Sequence, residues 1–427
     1  MRNFLKGPLP LLLLALVFLL YAAFSFRSLA YSDQLDLYVY RLGAKLALEG
    51  QTPYDTPRFQ AVIAERFSGD DDETFRTNCG FFLPPQAIAM FAPLAVIGWD
   101  AAQVVWWIVL TACAIGTATL AWTFGRDERR RGLGWPFIII VVLLNPLTLP
   151  SLVVGQTTLL VVASIAIGQL CFERGRPTVG CLLWSLSFLK PHLAILFLAV
   201  PLVQGGWKRA AGIVMLVGLW NLAGGLILRR DPAGAVKLLP EYLDYLATAH
   251  KAVVFNQVEQ NYQIPSWNRL LFVVGGPTIN LRISMVLAGY ALWAALIAVR
   301  NGRHAMRDPA YLLAAAAVGT LEFAQVLAYE MLLLVLVTPW LLQLLDEGRQ
   351  AAAYSLIGLL LLALVPMTTM ANVANGWGLA DDSQGRQLLL SHKCIAMAGL
   401  MLQLLLAGAR RADQSVGLPL PVHGNDR

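Results

Sequence analysis

Long apolar runs separated by short polar clusters dominate this chain. A helix needs about 20 apolar residues to cross a bilayer, so run length marks candidate spans. The predicted spans are residues 9–30, 100–124, 135–150, 157–172, 177–189, 191–203, a run that ends near residue 228, 281–299, 310–327, 331–345, 351–370 and 387–409. The pattern therefore predicts an all-α integral membrane protein with about 12 transmembrane helices.

Basic residues in the short connections orient these spans. The clusters are at residues 126–131, 173–177, 204–209, 300–307 and 410–411. Because Lys and Arg favour the cytoplasmic side of short loops, these connections and both termini are expected inside the cell. The two longest connections, 31–99 and 229–280, then fall on the outer side.

Two further apolar runs, residues 82–97 and 264–276, are too short to cross a membrane. We expect them to form interfacial helices within the outer segments. Residues 31–99 are thus predicted as a first outer loop, and residues 229–280 as a long outer loop that binds substrate.

Composition supports the membrane class. Apolar residues make up 57% of the chain and charged residues only 14%, whereas a soluble domain has roughly a quarter of its residues charged. A soluble enzyme, a disordered protein and a nucleic-acid-binding domain are therefore excluded as interpretations. The net charge of +6 fits basic inner loops among membrane lipids, not a nucleic-acid partner. The five cysteines form no CxxC pair, so neither a disulfide framework nor a zinc site is predicted.

The first apolar run allows two interpretations. Arg2 and Lys6 precede it, and Ser28 and Ala30 resemble a small-residue cleavage site. Because the run is long enough to span a bilayer, we favour an uncleaved signal-anchor helix over a cleaved signal peptide. Both interpretations place the next segment on the outer side.

The segment that follows this run carries the first candidate chemistry. Leu35, Val39, Leu42 and Leu46 have helical spacing and predict a helix from residue 35 to residue 48. Gly50 favours its termination. Asp33 and Asp36 then lie where the first span emerges, as candidate acid–base groups or as solvated helix-capping carboxylates.

Six short motifs follow one another along the chain in an order that is informative. They are Asp36-Leu-Tyr-Val-Tyr40, Leu48-Glu-Gly-Gln-Thr-Pro-Tyr-Asp55, Phe82-Leu-Pro-Pro85, Gly155-Gln156, Leu189-Lys-Pro191 and Tyr329-Glu330. Their order resembles glycosyltransferase family 87, the polyprenol-phosphate-mannose-dependent mannosyltransferase-like proteins of the GT-C superfamily. Glu330 stands where the family pattern has Asp.

The resemblance implies a GT-C-type helical bundle and an inverting transferase. Its reaction would move a hexose, most simply mannose, from a polyprenyl-phosphate sugar to a lipid-linked or cell-envelope acceptor. The site would face the periplasm or exterior of a bacterial inner membrane. An aspartate in the first outer loop would act as general base. Asp36 matches that position, Asp33 is the alternative base, and neither a cofactor nor a metal is expected.

Six further residues are candidates for substrate binding, each with a structural alternative such as capping, snorkelling or an interface belt. They are Lys190, His192 and Arg269 for the phosphate, Gln156 for a sugar hydroxyl, Glu330 for orienting a base or sugar, and Tyr40 for stacking on a sugar. Carboxylates within membrane segments are costly and often functional. Glu322 is expected to pair with a basic neighbour.

Two other functions stay open from the sequence. An arabinofuranosyl or other pentosyl transferase would share the same fold. A lipid-linked sugar transporter or flippase would place charged residues at mid-depth and repeat its halves. No such repeat is evident, which favours the enzyme. Nucleotide-sugar use is disfavoured because no glycine-rich phosphate loop follows a strand.

Overall fold

The computed structural model describes residues 16, 34–66, 80–124, 142, 148–252, 283–305, 308–323, 328–380 and 383–407. Asp33, Arg269 and the run 264–276 lie outside these residues, as do nearly all of the predicted spans 9–30 and 135–150. Within the described ranges every regular element is a helix.

The first part of the described chain extends to residue 252. Its elements are α1 (Leu35–Leu48), α2 (Thr56–Arg66), α3 (Pro85–Val96), α4 (Trp99–Phe124), α5 (Thr148–Val154), α6 (Thr158–Glu173), α7 (Pro177–Leu186), a 3-10 helix (Ser187–Leu189), α8 (Pro191–Phe197), α9 (Ala199–Gly205), α10 (Trp207–Arg229) and α11 (Pro232–Ala252).

The second part contains shorter and bent helices. Its elements are α12 (Ile283–Ala305), α13 (Pro309–Phe323), a 3-10 helix (Ala328–Val337), α14 (Thr338–Asp346), α15 (Gln350–Leu364), α16 (Met367–Gly376), α17 (Gln384–Leu390) and α18 (His392–Ala407).

Two described helices are long and apolar enough to cross a membrane, Trp99–Leu120 and Trp207–Arg229. Two bent pairs raise this number to four if each pair is one span: Gln350–Leu364 with Thr369–Gly376, at 87°, and α17 with α18, at 60°. Several shorter apolar helices accompany them. An all-helical membrane protein with several spans fits these helices, whereas the total of about 12 spans stays a prediction.

The helix predicted from its apolar face, α1, has the expected bounds. Val39, Leu42 and Leu46 are buried, and α1 packs against α3 and α10. The short run 82–97 becomes α3, which also packs on α10. These contacts hold α1 and α3 against α10.

The described part of residues 229–280 is mainly helical, although the sequence predicted a long loop there. It begins with the 21-residue helix α11, on which Ala235, Leu238, Tyr242 and Tyr245 are buried. Their spacing is helical, and the charged residues between them are those of an amphipathic helix, so the sequence carried this signal although the segment was predicted as a loop. The Tyr242 hydroxyl donates to the Phe82 carbonyl at 3.0 Å, so α11 is tied to the chain just before α3.

Helix α6 lies at the centre of the region that holds the candidate residues. It is apolar all round, and most of its side chains are buried, as expected for a helix surrounded by others. Its neighbours include α4, α7 and both 3-10 helices. This packing brings the start of α6 close to the chain at residues 187–192 and to the 3-10 helix Ala328–Val337.

Candidate functional site

One half of the candidate site forms where α1 meets the turn at residues 155–156. Gly155 has a φ of +77°, and a Cβ atom added to it would lie 2.9 Å from the Leu37 Cβ atom. Only glycine accommodates both this backbone conformation and this close approach. The Gly155 carbonyl accepts a hydrogen bond from Trp106 Nε1 at 2.8 Å. The turn is therefore held between α1 and α4.

Gln156 joins two side chains of α1. Its Nε2 donates a hydrogen bond to the Asp36 carboxylate, and its Oε1 accepts one from the Tyr40 hydroxyl at 3.3 Å. An ionised carboxylate only accepts hydrogen bonds, so the Asp36 contact requires the amide nitrogen on that side and the oxygen toward Tyr40. Gln156 thus holds Asp36 in one orientation.

The environment of Asp36 adjusts its basicity. Withdrawal from solvent raises the pKa of its carboxyl to about 6, although the positive charge of Lys190 and the Gln156 hydrogen bond act in the opposite direction. A carboxylate with this pKa is mostly ionised at neutral pH and is a stronger base than an ordinary aspartate. Asp36 can therefore accept a proton from a hydroxyl group.

Lys190 begins the second half of the site. It lies between the 3-10 helix Ser187–Leu189 and α8, with a φ of −122° and a ψ of 83°, because the residue before a proline avoids the helical conformation. Its Nζ lies 2.8 Å from Glu330 Oε1 and 2.8 Å from Thr158 Oγ1. The chain break thus directs a buried ammonium group toward α6 and Glu330.

His192 contacts the same carboxylate of Glu330. Its Nε2 lies 3.2 Å from Glu330 Oε1. The His192 side chain is 47% exposed, whereas those of Lys190 and Glu330 are 6% and 4% exposed. Two basic groups therefore share one buried oxygen atom, and only His192 is open to solvent.

The structure brings together six of the eight residues proposed from the sequence. Asp36, Tyr40 and Gln156 form one hydrogen-bonded group, and Lys190, His192 and Glu330 form the other. The charge of Lys190 acts on Asp36 and links the groups.

Gln156 and Tyr40 have protein partners, and the sugar contacts that the sequence suggests for them stay predictions. The Gln156 amide contacts Asp36 and Tyr40. The buried Tyr40 ring packs on Phe91, with 5.1 Å between ring centroids. Sequence analysis also missed Thr158, which accepts from Lys190; its place two residues after Gln156 was the available signal.

Glu322 does not meet the expected basic partner. It is fully buried on α13, and neither carboxylate oxygen has a hydrogen-bond partner among the described residues. The described parts of the chain also contain no group of three or more His, Cys, Asp or Glu side chains arranged to hold a metal ion.

Comparison with known families adds an independent observation. The model of glycosyltransferase family 87 matches residues 81–326, more than half of the chain. The chain belongs to glycosyltransferase family 87. No curated protein and no solved structure matches it. Gln156, Lys190 and His192 of this family 87 protein lie within the matched residues, while Asp36 precedes them and Glu330 follows them. Asp36 and Glu330 therefore join the site through the geometry described above.

Proposed function

We propose that this family 87 protein is an inverting membrane glycosyltransferase. Its donor is a polyprenyl-phosphate hexose, with mannose as the first candidate sugar, and its acceptor is a lipid-linked or cell-envelope glycan. The reaction takes place on the outer face of a bacterial inner membrane. The observation that carries this proposal is the hydrogen-bonded Asp36 carboxyl, whose pKa is about 6, within the field of the Lys190 ammonium.

The proposed chemistry is a single displacement. The acceptor hydroxyl oxygen attacks the anomeric carbon, and its proton passes to Asp36. The bond between the anomeric carbon and the phosphate oxygen breaks, and its electron pair stays on the phosphate. Because phosphate is a good leaving group, this step needs one base and no acidic partner, unlike glycoside hydrolysis with its two carboxylates.

The positive groups of the site fit the departing phosphate. Lys190 and His192 meet at Glu330 Oε1, and His192 is open to solvent. Charge that develops on the phosphate is stabilised by cations held in place before the reaction. Mannose and the lipid acceptor come from the family resemblance, and a pentose donor would use the same groups.

Transfer by an Asp36→Asn variant tests the base. The purified full-length protein is incubated with polyprenyl-phosphate-mannose, labelled in the sugar, and a pool of lipid acceptors. Asn keeps the shape of Asp36 but cannot take the proton, so we expect transfer to fall by about 10²–10⁴-fold. The exposed Asp100 of α4 provides a matched control, since Asp100→Asn removes the same charge outside the site.

The other outcomes separate the alternatives. Equal turnover by wild type and Asp36→Asn removes Asp36 from the mechanism, and loss in Asp33→Asn alone moves the base to Asp33. Product from an arabinofuranosyl donor but not from the mannose donor identifies a pentosyl transferase. Sugar uptake into proteoliposomes without a covalent product identifies a transporter.

A further inference from the structure

Glu330 occupies an unusual position for a residue at a phosphate site. Its buried carboxylate contacts Lys190 at 2.8 Å and His192 at 3.2 Å through the same oxygen. An acidic side chain repels a phosphate, so its presence beside two phosphate-binding candidates needs a reason. The net charge of Lys190, His192 and Glu330 together provides this reason.

Within this trio, His192 is the residue whose charge changes near neutral pH. Lys190 and Glu330 neutralise each other as a buried pair. With a neutral His192 the trio has no net charge, and with a protonated His192 it carries one positive charge. The phosphodiester of a polyprenyl-phosphate sugar carries one negative charge. Only the protonated trio therefore matches the donor.

Neighbouring groups strengthen this requirement. From α1, Asp36 is negative when ionised and interacts electrostatically with Lys190. Tyr40 is the other titratable group of α1 that senses Glu330. Thr158 of α6 and Gln156 are neutral hydrogen-bonding partners. These described groups add negative charge or none, and His192 is the member of the trio that can add positive charge when the phosphate binds.

His192 is also the member of the trio that can exchange a proton. Its side chain is 47% exposed, while the Lys190 and Glu330 side chains lie almost entirely within the protein. Histidine changes its charge near neutral pH. The contact of Nε2 with Glu330 orients the ring, and a proton added at the second ring nitrogen gives the charged form.

We propose that binding of the donor phosphodiester is coupled to protonation of His192, and that Glu330 is the positioning residue that joins Lys190 and His192 into one monoanion-binding site. This inference rests on the proposed function in taking the ligand to be a phosphate-linked sugar. The coupling requires that the affinity falls with rising pH, by up to about tenfold per pH unit for one linked proton.

Proton uptake on binding is the direct test. The full-length protein is titrated calorimetrically with farnesyl methyl phosphate, a sugar-free phosphodiester, and separately with polyprenyl-phosphate-mannose. Titrations in buffers with different ionisation enthalpies give the number of protons taken up. We expect uptake that approaches about one proton per ligand at the alkaline end of the pH series and decreases as the pH is lowered.

Substitutions at the three residues, with one control outside the trio, separate their roles. His192→Gln removes the proton uptake and makes a weakened affinity independent of pH between about pH 7 and pH 9, a range in which Asp36, with its pKa raised to about 6, stays ionised. Glu330→Gln also removes the pH dependence, but it retains affinity at high pH because Lys190 is no longer neutralised. Glu330→Asp keeps the charge and the coupling. Lys237→Gln is the control for a Lys190→Gln variant, because Lys237 lies at an exposed position on α11. We expect Lys237→Gln to leave both the affinity and the proton uptake unchanged.

Several results would overturn the coupling. They are binding by wild type without proton uptake, or uptake that persists in His192→Gln. If Glu330→Gln fails to fold in thermal unfolding, His192→Gln and Glu330→Asp still decide the matter. Coupled binding of the sugar-free diester without any sugar transfer would reject the proposed function alone. Transfer from the mannose donor without proton uptake would reject this inference alone.

Discussion

Two histidines in this protein each follow a break between helices, and they have different surroundings. His192 lies just after the break before α8; its side chain is half exposed and contacts Glu330. His392 begins α18 after the 60° bend from α17 and is 3% exposed. The His392 ring nitrogens lie 3.1 Å from the Val365 carbonyl oxygen and 3.3 Å from that of Leu389.

The comparison teaches that a helix break beside a histidine does not by itself indicate a functional site. The group that the histidine contacts distinguishes a candidate site from a structural contact. A helix break leaves backbone carbonyls without helical partners, and a nearby side chain can satisfy them. His392 does this where the two bent helix pairs meet, so we interpret it as a structural link. His192 contacts a carboxylate that also holds Lys190, so its protonation changes the charge of a cluster open to solvent.

Removal of one member of the buried Lys190–Glu330 pair, which lies beside His192, has the largest expected effect on the free energy of unfolding. Lys190→Met or Glu330→Met alone leaves an uncompensated buried charge and should lower the free energy of unfolding by about 3–5 kcal/mol. The double variant Lys190→Met/Glu330→Met should recover most of this stability, since an apolar pair can replace a buried ion pair. Thermal unfolding in detergent and sugar transfer are measured in parallel.

The double variant decides whether the pair is more than structural. We expect it to remain without transfer activity although it is folded. If the double variant recovers transfer together with stability, Lys190 and Glu330 act only as a structural ion pair, and the contrast with His392 is lost.

The pH dependence of kcat sharpens the comparison further. Burial raises the pKa of Asp36 to about 6, and a general base works only when ionised. At saturating donor, kcat should therefore fall about tenfold per pH unit below about pH 6 and level off above it. His392→Gln should keep this acidic limb unchanged. A flat kcat profile across this range would contradict Asp36 as the base.

The smallest expected effect is at His392 itself. His392→Gln weakens one or both contacts with the backbone carbonyls and should lower the free energy of unfolding by about 1 kcal/mol. The kcat/KM of the folded protein should not change. His192→Gln should show the opposite pattern, with little change in stability and a loss of transfer. A loss of kcat/KM in folded His392→Gln would show that the two histidines do not differ in kind.

Local features of the site were predictable from the sequence. The apolar spacing on α1 predicted its bounds, and Pro191 predicted a break at Lys190. These features depend on neighbouring residues and on restrictions of the backbone. The motif order also predicted the family, which the match over residues 81–326 confirms.

Other features lay beyond sequence reasoning. Glu330 is 140 residues from Lys190 and 138 from His192, and Gln156 is 120 residues from Asp36. No local pattern states which distant side chains meet.

The sequence by itself determined the class of the protein, since apolar runs and few charges require a membrane environment whatever the packing. It also determined the break at Lys190, because Pro191 restricts the backbone of the residue before it. Only the tertiary structure decided that Gln156 holds Asp36 and that one buried oxygen of Glu330 joins Lys190 and His192. Such contacts depend on how whole helices pack, and packing is a property of the complete chain.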